Sequence, residues 1–490
     1  MPRLHIPSRQ VATTIPAMRL SSQRARLCAG CAALAAAGIT QLVLAAGGLP
    51  GLGIVVVLPV AIWVVWAWRP SAVQVAIVMF LIGLESVLPL QTGGGRYFDW
   101  DLHYQMSRML AFAHPTFIVG LANSSNVLQR TPLFTAIIAS AVAHLPAYAT
   151  FQGGSVLLNT LWMWPAGLLI ERWGRSRNMV LAVACCPMVL VFMLYTWPWG
   201  FCCFWLLSAL YFADDEGRIS WAACGICLAA ALMTHEGCIG YAVGLGAWLA
   251  VRRWDLRGFA RAFSSGLAAC LAMGVPWTLV LLRNAPLSQI VRSVASAPGG
   301  GAGWLGGRLE LIAATVIPWN GSPGVIDHLF VFLSGSVLGI TAALLLSRTV
   351  RMPHGPTAWC IAGGLLGGLL LLPTGNVSSG LYDTAFPAAV MLFIVSVAAC
   401  PPGRWRGLVV AGLVIAALTA AIIWVEAAFP STSDPNLALK VNEHLQFIAD
   451  ITVIPGWVLM GLGLALGIVR THDWWDAGLP PARAPSAELE

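Results

Sequence analysis

Residues 27–47 read LCAGCAALAAAGITQLVLAAG, a run without one charged side chain, and Arg24 and Arg26 stand just before it. About twenty apolar residues are what an α-helix needs to cross the ~30 Å hydrocarbon core of a bilayer. The pattern recurs at once, because residues 51–68, GLGIVVVLPVAIWVVWAW, form a second apolar run that closes on Arg69. Inside hydrocarbon every backbone N–H and C=O must be paired within the chain, which leaves helices or a closed barrel. Barrel strands alternate apolar and polar residues over about ten positions, whereas these runs are continuous. The stretch therefore predicts an all-α polytopic transmembrane bundle.

The whole chain agrees. Of its 490 residues 58% are hydrophobic and 10% charged, with a mean hydropathy of +0.79. A soluble domain carries roughly 25% charged residues. The 22 tryptophans are expected near the membrane interface, where indoles gather. Further runs fall at 73–91, 155–170, 178–197, 198–212, 219–234, 237–251, 262–283, 326–346, 357–373, 382–400, 407–428 and 449–470. With the uncertain stretch 132–150 and other pieces that re-enter, this gives about 13–15 membrane segments. The net charge of +7 is spread over short basic turns between spans, and no basic stripe interleaved with aromatics exists to bind nucleic acid. Two CxxC spacings, Cys28–Cys31 and Cys224–Cys227, lie inside apolar runs. Neither has a second pair at zinc-site spacing nearby in sequence, so they read as small buried hydrophobes.

Basic residues set the sidedness. Residues 1–26 carry five arginines ahead of the first span and read as an uncleaved cytoplasmic N-terminus. Arg69, the turn Arg172/Arg175/Arg177, the turn Arg252/Arg253/Arg257/Arg261, Arg348/Arg351, Arg404/Arg406 and Arg470 all fall on that same side if spans alternate. The count closes only if 132–150 does not fully cross or if another piece of 92–131 re-enters, and an interfacial or re-entrant helix at 132–150 is the favoured expectation. The bundle then occupies 27–470, with outer loops at 92–131, 284–325 and 429–448 carrying short interfacial helices, and a disordered cytoplasmic tail at 471–490. The expected location is a bacterial inner membrane.

The first outer loop holds Tyr97-Phe98-Asp99-Trp100-Asp101-Leu102-His103-Tyr104. On a helix Asp101 and Tyr104 share a face, with Arg108 one turn beyond. A carboxylate partly desolvated by aromatics has a raised pKa and serves as a general base. The competing reading is an interfacial helix whose aspartates cap free N–H groups. Arg130 precedes the helix opened by Pro132 and carries a fork suited to phosphate or carboxylate; as a headgroup anchor it would be equally at home. His235-Glu236, within Thr234-His235-Glu236-Gly237, occupies the outer turn between two spans, where ionisable residues are often functional. Glu85 reads as a buried polar partner.

In this order and on this side, three stretches resemble the C-type (GT-C) membrane glycosyltransferases. The acidic loop Asp99-Trp100-Asp101-Leu102-His103-Tyr104 resembles that family's acidic motif. Arg130-Thr131-Pro132-Leu133-Phe134 is similar to its basic Pro-Pro-Leu segment, with Thr131 at the first proline. The run from Arg218 through Thr234-His235-Glu236-Gly237 to Arg252-Arg253 is similar to its next helix pair. The likeness spans about residues 73–260. It implies a GT-C-like bundle that moves a sugar from a polyprenyl-phosphate donor to a glycan, lipid or protein acceptor at the outer face. Asp101 or Asp99 would be the general base; His103, Tyr104, Arg130, His235 and Glu236 would bind substrate. Phosphate leaves well enough that no cofactor is required, although His103 beside two aspartates would permit a divalent cation. Two readings of other classes stand beside it: a transporter or flippase for an amphipathic solute, and a membrane scaffold.

Overall fold

The computed structural model describes residues 14–87, 98–112, 130–145, 148–184, 189, 193, 198–213, 218–253, 256–284, 286–288, 355–371 and 380–399. Among them every regular element is helical. In chain order these are α1 (Thr14–Gly47), α2 (Ile54–Trp68), α3 (Ala72–Val87), α4 (Phe98–Phe112), α5 (Leu133–Val142), α6 (Tyr148–Thr160) and α7 (Met163–Arg172). There follow α8 (Val180–Ala184), α9 (Trp199–Ala213), α10 (Arg218–Thr234), α11 (Ile239–Arg253), α12 (Leu256–Asn284), α13 (Pro356–Leu371) and α14 (Gly380–Ala399). The expected spans at 326–346, 407–428 and 449–470, the loop 429–448, nearly all of the loop 284–325 and the tail lie outside the described residues.

The bundle is an integral membrane protein. Among the described residues four helical segments are long and apolar enough to cross a bilayer: Ser22–Gly47, Pro50–Trp68, Thr150–Arg172 and Leu256–Arg283. The last is mostly uncovered, and Phe263, Leu267, Leu271, Val275, Leu279 and Leu282 are exposed along it. Steps of three and four residues put them on one helix face, which in water would be an intolerable apolar stripe and in a membrane faces lipid. Thr150–Arg172, by contrast, runs through the interior. Several indoles expected at the interface are core instead: Trp162, Trp164, Trp199, Trp205 and Trp248 are almost fully buried. Lipid gives no reason to expel them, and large rings fill the gaps between helices that packing must close.

Arginines order one end of the bundle. The last carbonyls of a helix have no partner within it, and hydrocarbon offers no water to take them. Arg172 donates from Nη1 to the Tyr211 carbonyl at the end of α9 (2.8 Å), and its guanidinium lies over the Tyr211 ring. Arg175 donates from Nε to the Ala398 carbonyl at the end of α14 (2.9 Å). Arg177 donates from Nη2 to the Trp68 carbonyl that closes α2 (3.1 Å). One basic turn thus caps three helices, and its positive charge also complements their C-terminal dipoles. Arg26 and Arg69 flank Trp66 at the same end.

Helices α1 and α10 run parallel from that end in a fixed register. Arg24 hydrogen-bonds Ser220, and seven residues further on in each helix Cys31 and Cys227 are hydrogen-bond partners. Both pairs are separated by 196 positions, so the two CxxC steps that look unrelated in sequence face each other across the interface. The nine cysteines among the described residues are all free thiols. Elsewhere glycine permits close approach: Gly240 and Gly244 of α11 meet Gly363 and Gly367 of α13, and a Cβ on Gly363 would fall 2.5 Å from the Gly240 carbonyl. This is the small-residue packing that lets membrane helices touch backbone to backbone.

Residues 132–150 hold α5, whose ten residues span only about 15 Å. That is too short to cross alone. It is buried nearly all round, leans on α1 at Gly38 through Leu133, and ends where His144 Nε2 contacts the Gly51 carbonyl at 2.8 Å.

Replacing Arg175 or Arg177 by methionine strips a helix end of a charged hydrogen bond worth roughly 1.5–3 kcal/mol; each variant melts earlier in detergent, while Arg261→Met, at an exposed position of α12, leaves the melting temperature unchanged. The α1–α10 register predicts that mild oxidation by copper-phenanthroline joins Cys31 to Cys227 within one chain. Peptide mapping by mass spectrometry reads the cross-link, and its absence from wild-type protein that retains both thiols would refute the register.

Candidate functional site

Arg130 meets the adjacent pair His235 and Glu236, about a hundred residues on in sequence, at the end of α10 away from the arginine turn. Arg130, ahead of α5, donates from Nη1 to Glu236 Oε1 at 3.1 Å, and the same Nη1 lies 3.2 Å from His235 Nε2. His235 follows directly on α10, and Glu236 opens the short 3₁₀ turn Glu236–Cys238 that leads into α11. The Gly237 N–H donates to His235 Nδ1 at 3.0 Å. A neutral ring has one acceptor nitrogen, so it accepts from the Gly237 N–H at Nδ1 or from the Arg130 guanidinium at Nε2, according to its tautomer.

The turn is held from behind. Trp199, the first residue of α9, stacks on the His235 ring with centroids 4.3 Å apart. The start of α9 is in turn capped from α6: the Phe201 N–H donates to Asn159 Oδ1 at 3.0 Å, fully buried. Gly200 makes this approach feasible, since a Cβ there would fall 2.3 Å from the Asn159 carbonyl oxygen. Neither Trp199 nor Asn159 stands out in the sequence. A tryptophan opening an apolar run, and a lone asparagine within one, are the only signals.

The site is inset from the end of α1. In the α1–α10 register Thr234 stands level with Gly38, and Gly38 is also the residue that Leu133, three positions after Arg130, packs against. Gly38 precedes the end of α1 at Gly47 by nine residues, or roughly 13 Å of helix. Arg130 and His235 keep only 19% and 13% of their side-chain surface exposed, against 47% for Glu236. A mostly buried guanidinium and imidazole therefore sit behind one half-exposed carboxylate.

Helix α4 brings the acidic loop alongside. His103 is buried, lies edge-on to Phe134 of α5, and is near enough to Glu236 for its charge to act on that carboxylate. Ser107, one turn on, donates to the Thr135 carbonyl at 3.1 Å. Tyr104 sits on the neighbouring face, with its ring on Phe151 of α6 and the Arg108 guanidinium over it. Asp99 and Asp101 belong to the first turn of α4, and their side chains, like that of Glu85, lie outside the described residues. By helical spacing Asp99 shares the face of His103, whereas Asp101 begins the face of Tyr104 and Arg108. Among the described residues no three His, Cys, Asp or Glu side chains are placed to hold a metal ion; the two aspartates stand outside that statement.

Burial among the helix ends pushes the Glu236 carboxyl up, but His235, Arg130, a backbone hydrogen bond and His103 draw it down by more, so its pKa ends below the ordinary value.

No protein-family model matches the chain, and no curated protein matches it. Among solved structures it is similar to the crystal structure of ArnT from Cupriavidus metallidurans bound to undecaprenyl phosphate. That likeness covers 81% of this chain and 76% of the other at 16% identity, with a TM-score of 0.45. At that level it fixes neither family nor activity, and the functional reading rests on this chain's own residues.

Because the folded pKa of Glu236 is depressed, the stability of its ion pair is fully present above the unfolded carboxylate value of about 4.3 and is lost as pH falls through the folded one. The melting difference between wild type and Glu236→Gln holds constant from pH 7 to about pH 5 and closes below about pH 4. A difference that instead grew on acidification would contradict the pairing.

Proposed function

We propose that the chain is a membrane glycosyltransferase that moves a sugar from a polyprenyl-phosphate donor to an acceptor at the face of the membrane opposite its arginine-capped end. That end is the cytoplasmic side of a bacterial inner membrane in this reading. The observation that carries the proposal is the meeting of Arg130 and His235, both mostly buried, at a recess in an apolar bundle, beside the acidic helix α4. A lipid-linked donor keeps its chain in the bilayer, and a recess below the helix ends is where its phosphate would lie.

The chemistry then follows. An acceptor hydroxyl oxygen attacks the anomeric carbon, the bond from that carbon to the phosphate oxygen breaks, and the electron pair leaves on the phosphate. The hydroxyl proton passes to a carboxylate of α4. Asp99, which shares the His103 face, is the better placed of the two by helix geometry, and Asp101 is its alternative. Charge growing on the departing phosphate is met by the Arg130 guanidinium, held in place against the His235 ring. Tyr104, on the neighbouring face with Arg108, would line the acceptor side. Sugar and acceptor are left open.

A transporter or flippase is the second reading. The inset of the charged cluster and the short helix α5 favour it, because transporters place substrate sites at depth on interrupted helices.

Purified protein in detergent or liposomes, assayed with a polyprenyl-phosphate sugar and a range of acceptors, separates the two. Arg130→Ala costs about 10²–10³ in turnover if it stabilises the leaving phosphate, and Asp99→Asn costs more than Asp101→Asn. Unchanged transfer in both aspartate variants would reject the mechanism; uptake or flipping without transfer would favour the second reading.

A further inference from the structure

The arginine-capped end carries two cations that the caps do not use. Arg172, Arg175 and Arg177 each hold a helix carbonyl. Arg26 of α1 and Arg69 after α2 instead gather on one indole, with their Cζ atoms 5.8 Å and 5.6 Å from the centroid of the Trp66 ring. Among the described residues neither guanidinium has an ion pair or a side-chain hydrogen bond. Trp66 itself is 58% exposed. An exposed ring attracts a cation only weakly, so two like charges brought to it make a positive spot that no carboxylate answers.

The backbone holds Arg69 there against its preference. It is the C-cap of α2 at φ +52° and ψ +62°, in the left-handed region, and among the described residues no other non-glycine has a positive φ. Its N–H closes the helix on the Val65 carbonyl at 3.1 Å. Glycine or asparagine serves that purpose with less strain, so the cap alone does not call for arginine. Deeper along α2, Val55, Leu58, Ile62 and Val65 are exposed and lead to Trp66, on one face by their steps of three and four. From Val55 to Trp66 is roughly 16 Å of helix, close to the depth of one leaflet of a ~30 Å core. Apolar strip, interfacial indole and paired cations thus stand in the order of a phospholipid's acyl chain, glycerol level and phosphate.

We propose that Arg26, Trp66 and Arg69 form a binding site for an anionic phospholipid, with its acyl chain along the exposed face of α2 and its phosphate on the two guanidiniums. Charge selects the lipid. A phosphatidylcholine headgroup carries its own ammonium beside the phosphate, whereas two arginines without a carboxylate match an uncompensated negative charge. The site lies at the end of the bundle away from Arg130 and is independent of the transfer reaction.

The test is native mass spectrometry of the full chain in detergent micelles, with phosphatidylglycerol or phosphatidylcholine of the same acyl chains. Wild type retains phosphatidylglycerol in preference. In the double variant Arg26→Gln/Arg69→Asn the asparagine suits the left-handed cap. It binds phosphatidylglycerol about tenfold more weakly and phosphatidylcholine as before. Trp66→Leu keeps both charges and the apolar strip but removes the ring that gathers them, and it loses part of the preference. Arg261→Gln, at an exposed position of α12 near the same end, keeps the preference whole. Wild type that does not distinguish the two lipids overturns the proposal, as does a preference that survives in full in the double variant or in Trp66→Leu. An equal loss in Arg261→Gln would show diffuse attraction to a basic surface and overturns the site as well.

Discussion

The arginine turn after α7 governs the arrangement of the whole bundle. Each of α2, α9 and α14 ends with carbonyls that neither its own chain nor hydrocarbon can satisfy, and Arg172, Arg175 and Arg177 take one carbonyl from each. Three helix ends are thereby brought to one level, and helix length determines what lies above it. From Tyr211 back to Trp199 is twelve residues of α9, about 18 Å, and from Ser220 to His235 is fifteen residues, about 22 Å. Trp199 and His235 can stack because both helices reach nearly the same height from a common base.

The site inherits its rigidity from that base and from the helix-to-helix contacts above it. Asn159 caps the start of α9, α9 presents Trp199, and Trp199 backs the imidazole of His235. Arg130 comes from another direction, ahead of the short buried α5 that leans on α1. Arg130 and His235 are thus held by packing, while Glu236 projects toward the opening.

Much of the fold was legible along the chain. The runs at 198–212, 219–234, 262–283 and 382–400 coincide within a few residues with α9, α10, α12 and α14, because a spanning helix must be apolar over a fixed length whatever its neighbours. The arginines gathered at one end for the same reason, since charge does not enter hydrocarbon. The motif residues were also visible: Arg130, His235 and Glu236 stand out as ionisable groups at span boundaries, and they meet. The tryptophans were misplaced, because composition says that indoles tolerate the interface but not that gaps between helices need filling.

Sequence by itself determined that the chain is an apolar helical bundle, where its charges must surface, and which few residues could carry chemistry, since those follow from the solvent and from local composition. Tertiary structure alone decided which of them touch. The pairing of the two CxxC steps, the stacking of Trp199 on His235, the depth of the Arg130 cluster and the exposure of Glu236 depend on how helices hundreds of residues apart align. Contacts of that kind leave no period or spacing in the chain from which they could be read.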